Sequence, residues 1–135
     1  MRVVFDTNIF ISALVTPGGS GARAMQRILR GKDRLYVSRE LVDEVLVVLA
    51  RKFARDAQAL SRTAIFLSEL GQLVVAAATV SVLADETDNR ILECAIAAGA
   101  ELVVTGDRAM LELGEFAGVR MISLRDYLAI EEQEP

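Results

Sequence analysis

Hydrophobic positions along this chain follow two rhythms. Short apolar runs end abruptly in polar residues: Val3-Val4-Phe5, Leu35-Tyr36-Val37, Leu102-Val103-Val104 and Val119 to Ile122. Between them lie longer stretches whose apolar residues recur three and four apart. The short runs fit parallel strands covered on both faces, and the longer stretches fit amphipathic helices. The first strand leads into a helix over 9–15, stopped by Thr16-Pro17-Gly18-Gly19, and Ser20 is placed to cap a second helix over 21–30. Gly31-Lys32-Asp33 closes that helix ahead of the second strand, and Ser38 caps a helix whose stripe is Leu41, Val45, Val48 and Leu49. A helix over 56–73 turns Leu60, Ala64, Leu67 and Leu70 inward, and Leu73-Val74-Val75 reads as a third strand. A helix over 86–98 ends at Gly99. A strand over 101–105, a short helix over 108–113, a fifth strand over 119–122 and a last helix over 124–130, capped by Ser123, complete the pattern. Strands alternating with helices predict right-handed crossovers and a mostly parallel sheet of about five strands between helical layers.

The 135 residues hold one domain with a real core, residues 1–130, followed by a frayed acidic tail at 131–135. The lone cysteine, Cys94, rules out an internal disulfide and suits a reducing cytoplasm. No apolar leader opens the chain, because Asp6 and Asn8 interrupt the first run. The most apolar stretch, Leu70 to Ala84, is fifteen residues long with Gln72 inside it. It is too short to span a bilayer and is expected in the core. The absence of histidine removes Ser/His and Cys/His hydrolase arrangements and most zinc sites. Catalysis must then run on carboxylates, hydroxyls, lysine or arginine, and a hard metal ion.

The net charge of −4 hides an asymmetry, since residues 20–62 hold ten Lys/Arg against five Asp/Glu. Arg23, Arg27 and Arg30 fall at i, i+4 and i+7 on the second helix, with Lys32 and Arg34 following. That row is a candidate surface for a phosphate backbone, against the plainer readings of a solvated helix face or a contact for an acidic partner segment.

The acids fall in more telling places. Asp6 ends the first strand and Asp107 follows the fourth, and carboxyl ends of strands are where ligands collect in open α/β sheets. Either could simply cap the helix that follows. With Leu41 at 0°, Glu44 falls at about 300°, on the edge of the buried stripe, and Asp43 at about 200°, toward water. With Ile91 at 0°, Asp88 falls at about 60°, in the middle of the apolar face, while Asp85 is placed as a cap and Glu93 faces out. A parallel sheet can bring Asp6, Glu44, Asp88 and Asp107 to one crevice. Two unit charges about 5 Å apart cost about 3 kcal/mol at an effective dielectric near 20, so a cation among them or protonation of some is required. Oxygen-only ligands select Mg²⁺ or Mn²⁺, and such a site suits phosphodiester hydrolysis.

Four segments in order carry a family resemblance. They are Val4-Phe5-Asp6-Thr7-Asn8, Ser38 to Glu44, Asp85 to Ala95, and Val103-Val104-Thr105-Gly106-Asp107. With them the chain resembles a PIN-domain ribonuclease, specifically the toxin components of bacterial toxin–antitoxin pairs. The resemblance implies a three-layer α/β/α fold and a Mg²⁺- or Mn²⁺-dependent endonuclease acting on single-stranded RNA. By position, Asp6, Glu44, Asp88 and Asp107 match the family's acidic quartet, and Asn8 and Thr105 match the polar neighbours that orient ligands or water. It also implies a homodimer inhibited by a small antitoxin protein. Two other readings compete: an aspartate-based phosphohydrolase with Asp6 as nucleophile, and a non-catalytic module binding RNA or protein. The first usually wants a second acid two residues on, where this chain has Asn8. The second has no need of four converging acids.

Overall fold

A computed structural model describes residues 1–133; the tail expected to fray, 131–135, lies outside the residues whose side chains are described. The chain runs β1 (Arg2–Phe5), α1 (Thr7–Val15), α2 (Ser20–Leu29), β2 (Arg34–Val37), α3 (Arg39–Phe53), α4 (Ala57–Leu70) and β3 (Gln72–Leu73). It continues with α5 (Glu86–Ala98), β4 (Leu102–Val104), α6 (Arg108–Leu113), β5 (Glu115–Phe116), β6 (Val119–Ile122) and α7 (Leu124–Gln133). The sheet has six strands in the order β3-β2-β1-β4-β6-β5. All neighbours are parallel except β5, which forms an antiparallel hairpin with β6 and carries no period long enough to reveal it in sequence.

Alternation along the strands builds two cores, one on each face. Val3, Phe5, Leu35, Val37, Leu102 and Val104 pack under the helices on one side, with Phe10, Ile28, Leu49 and Leu128 among their neighbours. Val4, Tyr36 and Val103 face the other way, onto Ile91, Cys94 and Ala95 of α5 and Met110 of α6. The result is the expected three-layer α/β/α sandwich. α1 and α2 pack closely at Gly21, where a Cβ would stand 2.7 Å from the Ala13 amide nitrogen. No helix among the described residues is long and apolar enough to cross a membrane.

Local signals set most boundaries. Ser38 caps α3 by accepting from the Leu41 amide at 3.2 Å, Asp56 caps α4 and Ser123 accepts from the Asp126 amide at the start of α7. Gly99 ends α5 at φ +60°, a conformation that favours glycine. Ser20, expected as a cap, is instead the first residue of α2, behind Gly19. Leu70 to Ala84 is not core: Leu73, Val75 and Val82 are 66%, 84% and 50% exposed. Gln72–Leu73 pairs only with β2 at the sheet edge, and the residues beyond it run as an open strap over α5. Val80 alone is buried there.

Candidate functional site

The sheet order sets the position of the acids. Strands β2 and β3 extend the sheet to one side of β1, and β4 returns to its other side. The carboxyl ends of β1 and β4 therefore meet at the point where the winding reverses, where a crevice opens. The Asp6 amide donates to the Val104 carbonyl at 2.9 Å, and the Thr105 amide donates to that of Ile122. Backbone pairing thus brings Asp6 beside Thr105, and the Thr105 hydroxyl donates to Asp6 Oδ2 at 2.6 Å. The same hydroxyl accepts from the Asp107 amide at 3.0 Å.

Capping and site-building coincide here. Asp6 caps α1 by accepting from the Asn8 amide at 3.2 Å, and Asp107 caps α6 by accepting from the Met110 amide at 3.0 Å. Each carboxylate is held by the helix it starts and stands at the mouth of the crevice. Asp88 occupies the first turn of α5 and is buried, whereas Asp85 caps that helix through the Thr87 amide at 2.9 Å. Glu44 comes from the middle of α3. Asp6, Asn8, Glu44, Asp85, Asp88 and Asp107 all line one cleft of about 180 Å³. Larger hollows of about 420 and 290 Å³, one between α2 and α7 and one between α2 and α4, gather no comparable set of acids.

The strap ahead of Asp85 is fixed by side chains of α5. Asn89 accepts from the Leu83 amide at 3.0 Å and donates to its carbonyl at 2.8 Å. Glu93 accepts from the Val80 amide at 2.8 Å, while Arg90 donates to the Val80 carbonyl and pairs with Glu93 at 3.0 Å. Glu93, expected to face water, is therefore buried, because the strap covers that side of the helix.

Electrostatics mark the cleft as short of positive charge. Burial raises the Asp6 carboxyl, and the hydrogen bonds from Thr105 and Asn8 offset part of that rise. Asp88 is pushed up to about 7, first by burial, then by the charges of Asp107, Asp85 and Asp6. Among the described residues no Lys or Arg forms an ion pair with Asp6, Glu44, Asp88 or Asp107. The donors are all oxygen, which fits a hard divalent cation in kind and charge. They are not gathered into a closed cage, since among the described residues no three acids stand at ion-holding spacing.

Three further polar residues of the wall, Thr7, Lys52 and Thr87, escape the sequence reading. Thr7 lines the cleft with a buried hydroxyl that has no hydrogen-bond partner among the described residues. Lys52 lies on α3 at i+8 from Glu44, with Val48 between them at i+4, and that spacing was the available signal.

In the arginine row, Arg27 departs from its expected role, whereas Arg23 and Arg30 are exposed. Arg27 is 1% exposed, its Nε donates to Asp33 Oδ2 at 2.9 Å, and its guanidinium lies 5.3 Å from the centre of the Tyr127 ring. It sits on the inner face of α2 with Ala24 and Ile28, three and one residues away, and cannot meet a nucleic-acid backbone there. Arg30 and Lys32 are engaged as well. Arg23 lines the hollow beside α7, away from the acids.

Comparison with known proteins agrees with this architecture. A protein from Methanocaldococcus jannaschii, itself uncharacterized, is 27% identical over 117 residues, covering 84% of this chain and 75% of that protein. The crystal structure of VapBC2 from Rickettsia felis, bound to a DNA fragment from its promoter, contains a chain that superposes with a TM-score of 0.67 at 18% identity. That match covers 91% of this chain and 98% of the other. VapBC-1 from nontypeable Haemophilus influenzae gives 0.66 at 15% identity, covering 93% and 99%. Both likenesses are of fold. The PIN domain family model matches residues 2–109, a span that holds Asp6, Glu44, Asp88 and Asp107. The chain belongs to the PIN-domain family.

Proposed function

We propose that this protein is a Mg²⁺- or Mn²⁺-dependent endoribonuclease that hydrolyses phosphodiester bonds of single-stranded RNA. Its carrying observation is the convergence of Asp6, Glu44, Asp88 and Asp107 on one cleft with no Lys or Arg pairing them among the described residues. Uncompensated carboxylates at a strand switch point are costly, and a divalent cation offsets that cost. One or two ions held by these four acids would supply Lewis acidity toward a phosphate oxygen and a more acidic water.

The chain's own part is to hold the acids. Thr105 and the Asn8 amide fix the Asp6 carboxylate, and the Met110 amide fixes Asp107. Asp88 approaches from α5 and Glu44 from α3, so the acids enclose the cleft from different elements. Thr105 acts through Asp6 and Asp107 as a positioning residue, and Asn8 lines the cleft beside Asp6.

The biological role we infer is that of a cytoplasmic toxin held in check by a small antitoxin protein and assembled as a homodimer. Likeness to VapBC chains over almost their whole length supports that role. The test of the activity is incubation of the pure protein with an unstructured RNA oligonucleotide, with Mn²⁺ and then with excess EDTA. Endonucleolytic products with Mn²⁺ that vanish with EDTA are expected; intact RNA under both conditions sinks the proposal.

A further inference from the structure

A cleft lined by five acids must still receive a polyanion, and the acids by themselves repel it. Among the cleft-lining residues Lys52 is the one basic side chain. It lies in the last turn of α3 and is exposed, and no acid among the described residues stands within ion-pair distance of it. Eight residues of helix separate it from Glu44, a rise of about 12 Å, so it stands at the rim rather than beside the carboxylates. Of the basic row expected to hold the substrate, Arg27 is buried against Asp33, and neither Arg23 nor Arg30 lines the cleft.

We propose that Lys52 binds a phosphate flanking the scissile one, and so sets the direction in which single-stranded RNA leaves the acidic cleft, along the C-terminal turn of α3. The inference rests on the ribonuclease reading. A lysine suits this task as a flexible point charge that follows a mobile strand without demanding one geometry. A plainer role exists, since a cation in the last turn of a helix is favourable to the helix dipole. Arg51 separates the two. It carries the same charge in the same turn and is exposed, but it lies about 100° round the helix and does not line the cleft.

The experiment measures affinity for an unstructured RNA oligonucleotide against salt in an Asp6→Asn background, for Lys52→Ala, Lys52→Arg and Arg51→Ala. Steady-state cleavage is measured in the otherwise native protein. Loss of one phosphate contact lowers the log–log salt slope by about 0.7 for a single strand. Lys52→Ala is expected to show that drop and a KM raised about fivefold, with kcat within about twofold of the parent. Lys52→Arg is expected to keep the slope, and Arg51→Ala to leave it at the parental value. A parental slope and KM in Lys52→Ala, or equal drops in the Lys52 and Arg51 variants, overturn the contact while RNA cleavage by the parent stands. A parent that neither binds nor cleaves RNA overturns both readings together.

Discussion

Thr105 and Asp6 stand 99 residues apart in the chain and share a 2.6 Å hydrogen bond beside the cleft that Asp6 lines. The bond exists because β1 and β4 are neighbours, and it orients the acid at their switch point. Thr105 is fully buried, and its hydroxyl also receives the Asp107 amide. Thr105→Val therefore leaves Asp6 without its best donor and the Asp107 amide without its acceptor. A loss of about 1–3 kcal/mol in stability is expected by denaturant titration. Nuclease turnover should fall at least tenfold, and Thr105→Ser should recover most of it. A valine variant with parental turnover would remove Thr105 from the site.

Asp6→Asn separates charge from shape. Asparagine caps helices as well as aspartate, so with its one amide oxygen on the Asn8 amide α1 keeps its start, and its NH2 then faces the Thr105 hydroxyl, which can turn to accept from it. The variant should fold with unchanged or higher stability while losing cleavage and Mn²⁺ binding. Parental cleavage by the purified variant would show that the Asp6 charge is not needed.

Asp85 and Asp88 share a cleft but have different duties. Asp85→Ala should cost about 1 kcal/mol as a lost cap and keep most activity. Asp88→Asn should lose Mn²⁺ binding and turnover. The folded-state carboxyl of Asp88 is raised from an ordinary 3.8 to about 7. Between those values the folded protein holds a proton that the unfolded chain releases, so this group's contribution to stability declines as pH rises from about 4 to 7. In EDTA, the melting temperature of Asp88→Asn relative to the parent should accordingly be higher at pH 8 than at pH 4. In the parent, Mn²⁺ should displace the Asp88 proton, and Mn²⁺ affinity should weaken as pH falls through about 7. A pH-independent difference between the two proteins would contradict the assignment.

Arg27 and Asp33 form a buried pair completed by the Tyr127 hydroxyl at 2.6 Å. Burial raises the Asp33 carboxyl, but hydrogen bonds from Tyr127, Arg27 and the N-terminal amine outweigh it and leave the group below 3.8. A depressed carboxyl contributes stability above its unfolded value, and that contribution fades as pH falls below about 4. Breaking the pair with Arg27→Met leaves Asp33 to the N-terminal amine and the Tyr127 hydroxyl alone, and should cost up to about 3–5 kcal/mol at neutral pH. The same variant, where folded, should leave the salt slope of RNA binding unchanged. A destabilisation below about 1 kcal/mol would show that the N-terminal amine and Tyr127 suffice to hold Asp33.

How much was legible in sequence depended on how local the cause was. The bounds of α5 and α6, the caps at Ser38, Asp85 and Asp107, and the stop at Gly99 all follow from residues within one helical turn of the boundary. The helical phase of Glu44 and Asp88, and the strand ends at Asp6 and Asp107, were enough to nominate four of the five acids that line the cleft. The fates of Arg27 and Glu93 had remote causes. Arg27 turns inward because a turn through Gly31 returns Asp33 to it and because α7 brings Tyr127 from 94 residues beyond Asp33. Glu93 is buried because a strap that looked like core crosses the polar side of α5. An amphipathic period reports which face of a helix is apolar, and it is silent about which polar side chains a distant segment will cover. The strand order, the six-stranded edge with its β5 hairpin, and the position of Lys52 at the rim of the acids were decided by long-range packing, where contact energies between remote elements outweigh local preference.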